Sequence, residues 1–327
     1  MLIIRLDAIG DALALTPLLA ALRDRSIPAD VVLRPENAGI FARRAIREPI
    51  VSTFDLRSDE RSNLAAIAQL GAQLSQRNYT HVLVATEDPG GYRLARATRA
   101  PVRIGFSNGW GKPLKSLWSR AFLTRSIYRS ARLDRRARHE CAVLFDLGRP
   151  LLGEAAPTRD VAQLRPLVLD TEPERPDTRV AVQITDKWER LGFALSDVVE
   201  SIQRLANVAT LRLIAADSER DYADAIARAT DTEVERFRSL APWKLAIAAA
   251  RAVVTPDSGA LHVAGTIGTP VVGIFAVQRD IALQTARWAP WAAPSQIIIG
   301  KPGWPLAASD ALQRLLQDRS RSPIDKL

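Results

Sequence analysis

The feature that most constrains this chain is a repeated alternation of short apolar runs with helix-patterned stretches, joined by connections of a few residues. Residues 2–6 (Leu-Ile-Ile-Arg-Leu) have the composition of a buried strand, and a turn follows at Asp7-Ala8-Ile9-Gly10. Residues 11–23 then carry Leu13, Leu15, Leu18, Leu19 and Leu22 at roughly helical spacing. Pro17 inside that stretch predicts a kink or a late helix start. Residues 29–33 (Ala-Asp-Val-Val-Leu) read as the next strand. Two strands separated by a helix cannot close as a tight hairpin, so the unit predicts a parallel sheet.

The pattern continues. Helices are predicted at 63–77, 92–98 and 135–148, and strands at 81–85 and 102–106, with a turn at 88–91. The proline-rich, charged segment 166–178 reads as a linker, after which the alternation restarts. Strands are expected at 179–184, 211–215, 252–255 and 271–275, and helices at 195–205, 221–229, 243–250, 258–267 and 309–317. The expected layout is a Rossmann-like domain over 1–165, the linker 166–178, a second Rossmann-like domain over 179–308, and a closing helix and tail over 309–327. In such sheets ligands bind beyond the carboxyl ends of the strands. The loops after Leu6, Ala85, Ile184, Ala215 and Thr255 are therefore where chemistry is expected.

Composition narrows the function. The chain has 327 residues, enough for two cores. No apolar run reaches the length of about 20 residues that spans a bilayer, and the first residues do not read as a secretion signal. Cytoplasmic location is the expectation. Cys141 is the only cysteine and there are three histidines, so no disulfide and no metal site is expected. The formal net charge is +9, and the excess is concentrated: between Arg93 and Arg138 stand thirteen Arg or Lys against one acid, Asp134. A field this lopsided attracts polyanions, or is simply a solvated arginine face. Few aromatics lie in the belt and no nucleic-acid module is recognisable, so a nucleic-acid partner is not expected.

Three loops carry candidate chemistry. In Thr255-Pro256-Asp257-Ser258-Gly259-Ala260-Leu261-His262, a strand end runs straight into a helix start. Such a start offers N–H groups and a positive dipole end to a diphosphate, and Ser258 and His262 share a face. The plainer reading is that Asp257 or Ser258 caps the helix. In the loop after Leu6, Asp7 and Asp11 flank Gly10; a carboxylate there could act as a general base, or Asp11 could be an N-cap. In Thr185-Asp186-Lys187-Trp188-Glu189-Arg190, Lys187 and Arg190 could hold phosphate and Trp188 could stack on a base, or the loop could be a charged surface turn. Neither Gly-x-Gly-x-x-Gly nor Gly-Lys-Ser/Thr follows the first strand, which argues against a dinucleotide fingerprint and a P-loop.

At these loops the chain resembles glycosyltransferase family 9, the ADP-heptose:lipopolysaccharide heptosyltransferases. The opening Leu2-Ile3-Ile4-Arg5-Leu6-Asp7-Ala8-Ile9-Gly10-Asp11 looks like the family's first strand and Gly-Asp loop. Asp257-Ser258-Gly259-Ala260-Leu261-His262, followed by Gly268-Thr269-Pro270, looks like its Asp-Ser/Thr-Gly-x-x-His motif and Gly-x-Pro. The resemblance implies a GT-B fold, an α/β architecture of two Rossmann-like domains with parallel sheets facing across a cleft. It implies Asp11 as the general base. It implies donor contacts from Asp257, Ser258, Gly259, Ala260 and His262, with Lys187, Trp188 and Arg190 beside them. On the acceptor side it implies Asp7, Gly10, Arg93, Arg96, Lys112 and Lys115. No metal and no cofactor are implied, only a nucleotide-sugar co-substrate, ADP-heptose. The implied acceptor is a phosphorylated glycolipid or glycan of the lipopolysaccharide core, met at the anionic inner face of the cytoplasmic membrane.

Two departures stand out. The family's Trp-x-x-Lys-x-Trp element, aligned on Trp188, puts Leu191 where the Lys belongs and Phe193 where the second Trp belongs. Ala276-Val277-Gln278 replaces Gly-Pro-Thr. The expected activity is therefore inverting sugar transfer. The alternatives are a non-catalytic GT-B protein that binds nucleotide or anionic lipid, and another sugar-nucleotide enzyme on a similar fold, such as an epimerase.

Overall fold

The computed structural model describes residues 1–52, 54, 60–130 and 138–321. The chain divides into two compact units, Met1–Arg159 and Asp160–Leu327.

The first unit opens with β1 (Leu2–Ile4), α1 (Ile9–Leu13), α2 (Thr16–Asp24), β2 (Asp30–Leu33) and β3 (Glu48–Val51). It continues with α3 (Glu60–Ser75), β4 (His81–Val84), α4 (Pro89–Ala97) and β5 (Val102–Ser107). It closes with α5 (Pro113–Arg120), β6 (Arg125–Tyr128), α6 (Glu140–Phe145) and α7 (Arg149–Leu152). All its strand pairs are parallel, in the order β3-β2-β1-β4-β5-β6. The central strands β1 and β2 are buried along their whole length, as a sheet covered on both faces requires.

The second unit begins with α8 (Val161–Val168), β7 (Val180–Gln183), α9 (Lys187–Arg190) and α10 (Leu195–Ala206). Then come β8 (Leu211–Ala216), α11 (Arg220–Thr230), β9 (Val234–Phe237) and α12 (Leu240–Ala249). It ends with β10 (Ala252–Pro256), α13 (Gly259–Ile267), β11 (Val271–Phe275), α14 (Ile281–Trp288), β12 (Ser295–Ile299) and α15 (Trp304–Arg321). Its six parallel strands run β12-β11-β10-β7-β8-β9. Numbered from its own first strand and read from the other edge, this is 3-2-1-4-5-6, the same winding as the first unit. Each unit is thus a doubly wound Rossmann-like sheet.

Several local expectations are refined. Pro17 does break the first helical stretch: α1 ends at Leu13, and α2 begins at Thr16 with the proline in its first turn, where its missing N–H costs nothing. The expected turn at 88–91 is instead the start of α4, with Asp88 accepting from the Gly90 N–H at 2.6 Å and Pro89 in the first turn. Of the helix expected at 135–148, residues 135–137 lie outside the described residues. The rest begins only at Glu140, where His139 caps by accepting from the Cys141 N–H. Segment 161–168, expected to end one domain and begin the linker, is α8, and it belongs to the second unit. Arg165 donates to the Ile267 carbonyl at 2.9 Å. α13 ends at Gly268, whose φ of +84° lets the chain turn back, and a Cβ there would stand 2.6 Å from Val161. Among the described residues, no helix is long and apolar enough to cross a membrane.

Candidate active site

In a sheet wound 3-2-1-4-5-6 the chain changes direction between its first and fourth strands, and the loops beyond their carboxyl ends part to leave a crevice. In the first unit these strands are β1 and β4; in the second they are β7 and β10. The residues singled out by sequence stand at both places.

At the first, Arg5 ends the apolar run of β1 and is 2% exposed. A guanidinium cannot shed its charge, so such burial requires acceptors on every side. Arg5 donates to the carbonyls of Ala85 and Asp11 and to Asp11 Oδ1 at 2.9 Å. Asp7 Oδ2 lies 3.4 Å from it and Glu140 Oε1 3.9 Å. Asp11 is therefore not an N-cap. The N-cap of α1 is Ala8, and Asp11 lies in the first turn with its carboxylate turned back onto Arg5. Burial raises the Asp7 pKa despite the nearby guanidinium.

The network extends outward. Glu140, 1% exposed, also takes Arg129 at 3.1 Å. Burial nevertheless outweighs both guanidinium charges and raises its pKa. Arg129 reaches Glu87, and Glu87 takes Lys115 at 2.8 Å. Burial of Glu87 is overcome by Lys115 and Arg129, with Lys112 adding its charge, so this carboxyl is held low. Of the expected acceptor-side residues, Asp7, Lys112 and Lys115 thus adjoin this network, and Gly10 lies in α1. Arg93 sits half-buried on α4. Arg96 is engaged elsewhere, donating to the Ala121 carbonyl and covering the Phe122 ring. Arg132, Asp134, Arg135 and Arg136 of the basic belt lie outside the described residues. Sequence reasoning passed over Arg5, Glu87 and Glu140 as site residues. Only Glu87 had a local signal, its place in the loop after β4.

At the second, β10 delivers Thr255, whose hydroxyl shares a 2.8 Å hydrogen bond with Ser258. Ser258 is the N-cap of α13 and accepts from the Ala260 N–H, so the plainer capping reading holds for this serine, with Gly259 as the first helical residue. Asp257 stands 3.6 Å from His262 Nε2. Burial works to raise its pKa, but His262, Lys187 and Gln284 prevail and hold it low. His262 is steadied in turn by the edge-on ring of Trp288. Gln284 and Trp288 both come from α14, which the sequence reading did not foresee.

The loop after β7 differs from expectation. Trp188 does not present a face for a base. It is 1% exposed, stacked on Trp304 at 5.4 Å, edge-on to Phe193, and bonded through Nε1 to the Gln183 carbonyl. Phe193 completes this aromatic cluster, and Leu191 packs against the same core. Trp188→Ala is accordingly expected to cost about 3–5 kcal/mol of stability, read by urea denaturation. An unchanged unfolding midpoint with lost nucleotide affinity would instead return the ring to the ligand. Arg190 is exposed and paired with Asp186 at 2.7 Å, which leaves Lys187 as the cation electrostatically coupled to Asp257.

Glu219, beyond β8, accepts from Thr185 Oγ1 at 2.6 Å, while its other carboxyl oxygen is buried without a partner. Its carboxyl is pushed up to about 7, first by burial and then by the Asp186 charge. The folded state therefore holds this proton more tightly than the unfolded chain. Its contribution is complete below the ordinary value of 4.5 and is lost as pH rises through about 7. Glu219→Gln is expected to flatten the pH dependence of the melting temperature over that window and to melt higher than wild type above neutrality. Parallel profiles would rule out the linkage.

Residues 199–314 match the model of glycosyltransferase family 9 (heptosyltransferase). The sequence search against curated proteins gave no match. Among solved structures, the chain resembles Escherichia coli heptosyltransferase WaaC with ADP at 18% identity and a TM-score of 0.72, over 97% of this chain and 98% of that one. It resembles E. coli ADP-heptose lps heptosyltransferase II at 16% and 0.70, over 98% and 99%. It resembles the family 9 glycosyl transferase of Veillonella parvula at 16% and 0.71, over 97% of both. At these identities the likeness is one of fold, and that fold is GT-B. The family match falls within the second unit, so the chain has a GT-B fold whose second unit resembles the family 9 glycosyltransferases.

Proposed function

We propose that the protein transfers heptose from ADP-heptose to a phosphorylated glycolipid of the lipopolysaccharide core, with inversion, at the inner face of the cytoplasmic membrane. The observation that carries this reading is the placement of Asp11 and of the Asp257–His262 loop at the two switch points, each at the carboxyl end of a central strand. In the proposed step the acceptor hydroxyl oxygen attacks the anomeric carbon. Its proton passes to the Asp11 carboxylate, and the bond from that carbon to the diphosphate oxygen breaks with its electron pair leaving on the nucleotide. The start of α13 and Lys187 oppose the charge that develops on the leaving group. Glu219 supplies a carboxyl oxygen suited to accepting from a sugar hydroxyl of the nucleotide. The ADP-bound WaaC, alike in fold, supports the choice of nucleotide.

The test is ADP release from ADP-heptose in the presence and absence of a Kdo-bearing lipid A acceptor, with other nucleotide sugars alongside. Acceptor-dependent release is expected. Release from a different donor keeps the mechanism and changes the sugar. One observation favours the non-catalytic alternative: Leu191 stands where the resemblance places a diphosphate-binding Lys, and it packs, half-buried, against the core. Silence across the panel with nucleotide binding intact by calorimetry selects that alternative.

A further inference from the structure

Away from the loops that carry Asp7 and Asp11, the first unit holds a cavity of about 380 Å³. Helix α2 supplies one wall: Leu19, Leu22 and Arg23, spaced by three and four residues, share a face and line it. The helix stops at Ser26, which takes the left-handed conformation at φ +56°. Its N–H donates to the Arg23 carbonyl at 2.8 Å, and the Ile27 N–H donates to the Leu22 carbonyl at 2.9 Å. These two bonds close the helix end and turn the chain towards β2. A second wall is the approach to β3, through Arg44, Ala45 and Ile46. It is tied to the first by the Arg47 N–H, which donates to the Ala29 carbonyl at 2.8 Å. The cavity therefore lies at the amino ends of the parallel strands β2 and β3, whereas Asp11 stands beyond the carboxyl end of β1.

The lining has two characters. Ile27, Pro28 and Ala45 give it apolar surface that reaches solvent, above the buried Leu22 and Ile46. Arg23, Arg44 and Arg47 are exposed at its edge, and no Asp or Glu lines it. Arg47 is fixed in place, since its Nε donates to the buried Asp30 at 2.8 Å. Arg23 stands 3.7 Å from Asp24, longer than a hydrogen bond, so its guanidinium keeps donors to offer. Apolar walls with a few polar groups, around a volume of this size, are the makings of a small-molecule site. An inorganic anion would meet the guanidiniums and leave the apolar surface wet. A neutral apolar molecule would cover that surface and leave the cations unmatched. We propose that this cavity binds a small amphiphilic anion. Its carboxylate, sulfonate or phosphate head meets Arg23 and Arg44, and its apolar body lies on Ile27, Pro28 and Ala45. The site stands apart from the loops of the proposed transfer, and its existence does not rest on the transferase reading.

The experiment is calorimetric titration of the full chain with anilinonaphthalene sulfonate, and with its neutral counterpart that lacks the sulfonate. One saturable site for the sulfonate is expected, weakened by added salt. The neutral counterpart should bind about tenfold or more weakly, the usual worth of a hydrogen bond to a charged group. Arg23→Glu/Arg44→Glu should weaken the sulfonate by at least about that factor, and so, separately, should Ala45→Glu, which sets a carboxylate on the other wall. Arg228→Glu/Arg314→Glu, the same change of charge at exposed positions of the second unit, should leave the affinity as it is. The melting temperature of each variant alone should barely move, since none of the exchanged side chains is buried. The sulfonate should raise that of wild type, as a ligand of the folded state does. Affinity equal in wild type and both cavity variants overturns the proposal, as does equal loss in the second-unit control. Displacement of the sulfonate by ADP overturns it too, by moving the probe to a nucleotide site. So does the absence of saturable binding.

Discussion

Asp11→Asn is expected to lower acceptor-dependent ADP release by about 10²–10⁴-fold, the usual worth of a positioned general base, while nucleotide affinity stays within error of wild type. The asparagine keeps the size of the side chain and can still accept from Arg5, so α1 and the β1 loop should hold their shape. What it cannot do is take a proton. Asp7→Asn is the informative companion. Asp7 also faces Arg5, but burial raises its pKa, and it is not needed as a base; its replacement should cost far less in rate. Comparable losses in both variants would mean that the pair acts as one unit. A rate retained in Asp11→Asn would remove this residue from the chemistry. The measurement that separates the cases is kcat at saturating donor, with donor affinity determined independently by calorimetry.

Arg5→Leu should be the most damaging single change to the stability of the first unit, by about 3–5 kcal/mol, the range for breaking a buried ion pair by removing one partner. The leucine fills most of the space but takes one guanidinium away from Glu140, 1% exposed, and strands the Ala85 carbonyl and Asp7. The cost comes from uncompensated buried charge and not from a cavity. Two controls follow. Arg5→Lys should recover only part of the loss, because one ammonium cannot serve Ala85, Asp7 and Asp11 together in the geometry of a guanidinium. Arg5→Leu/Glu140→Leu should be less destabilised than the sum of its single changes, since the double variant also removes the buried carboxylate that Arg5→Leu leaves with less compensation. The readout is urea denaturation at constant slope. Additive singles would show that Arg5 and Glu140 are not coupled, and an unchanged midpoint for Arg5→Leu would sink the buried-network account.

The strands of each sheet divide by how much of their stabilising contact is local. β1, β4, β7, β10 and β11 are buried nearly throughout, so their sequences are short unbroken apolar runs that announce themselves. β3 and β6 are largely solvent-facing, and β9 and β12 are only partly buried. Glu48-Pro49-Ile50-Val51 and Arg125-Ser126-Ile127-Tyr128 carry little apolar periodicity, and what makes them strands is the hydrogen-bonding edge already present beside them. α5 was hidden for a related reason. Trp118 packs on the core while Leu114 and Leu117 face solvent, and nothing in a one-dimensional pattern says which of these apolar residues looks inward.

The same division applies to the site. The sequence by itself determined the parallel α/β character, the number of halves, and the two loops where Asp11 and Asp257 to His262 stand, because strand ends and helix starts leave local marks. Only the tertiary structure decided what those residues are bonded to. It made Asp11 a partner of Arg5 and not a cap, drew Trp188 into the core, left Lys187 as the cation coupled to Asp257, and joined Arg5, Glu87, Arg129 and Glu140 into one network. Arg5, Glu87 and Arg129 follow β1, β4 and β6, Glu140 begins α6, and they meet because these strands lie on one side of the sheet in the order β1-β4-β5-β6. Strand order is set by how whole elements pack, and the energy that selects it is spread over the core, so no local stretch of sequence contains it.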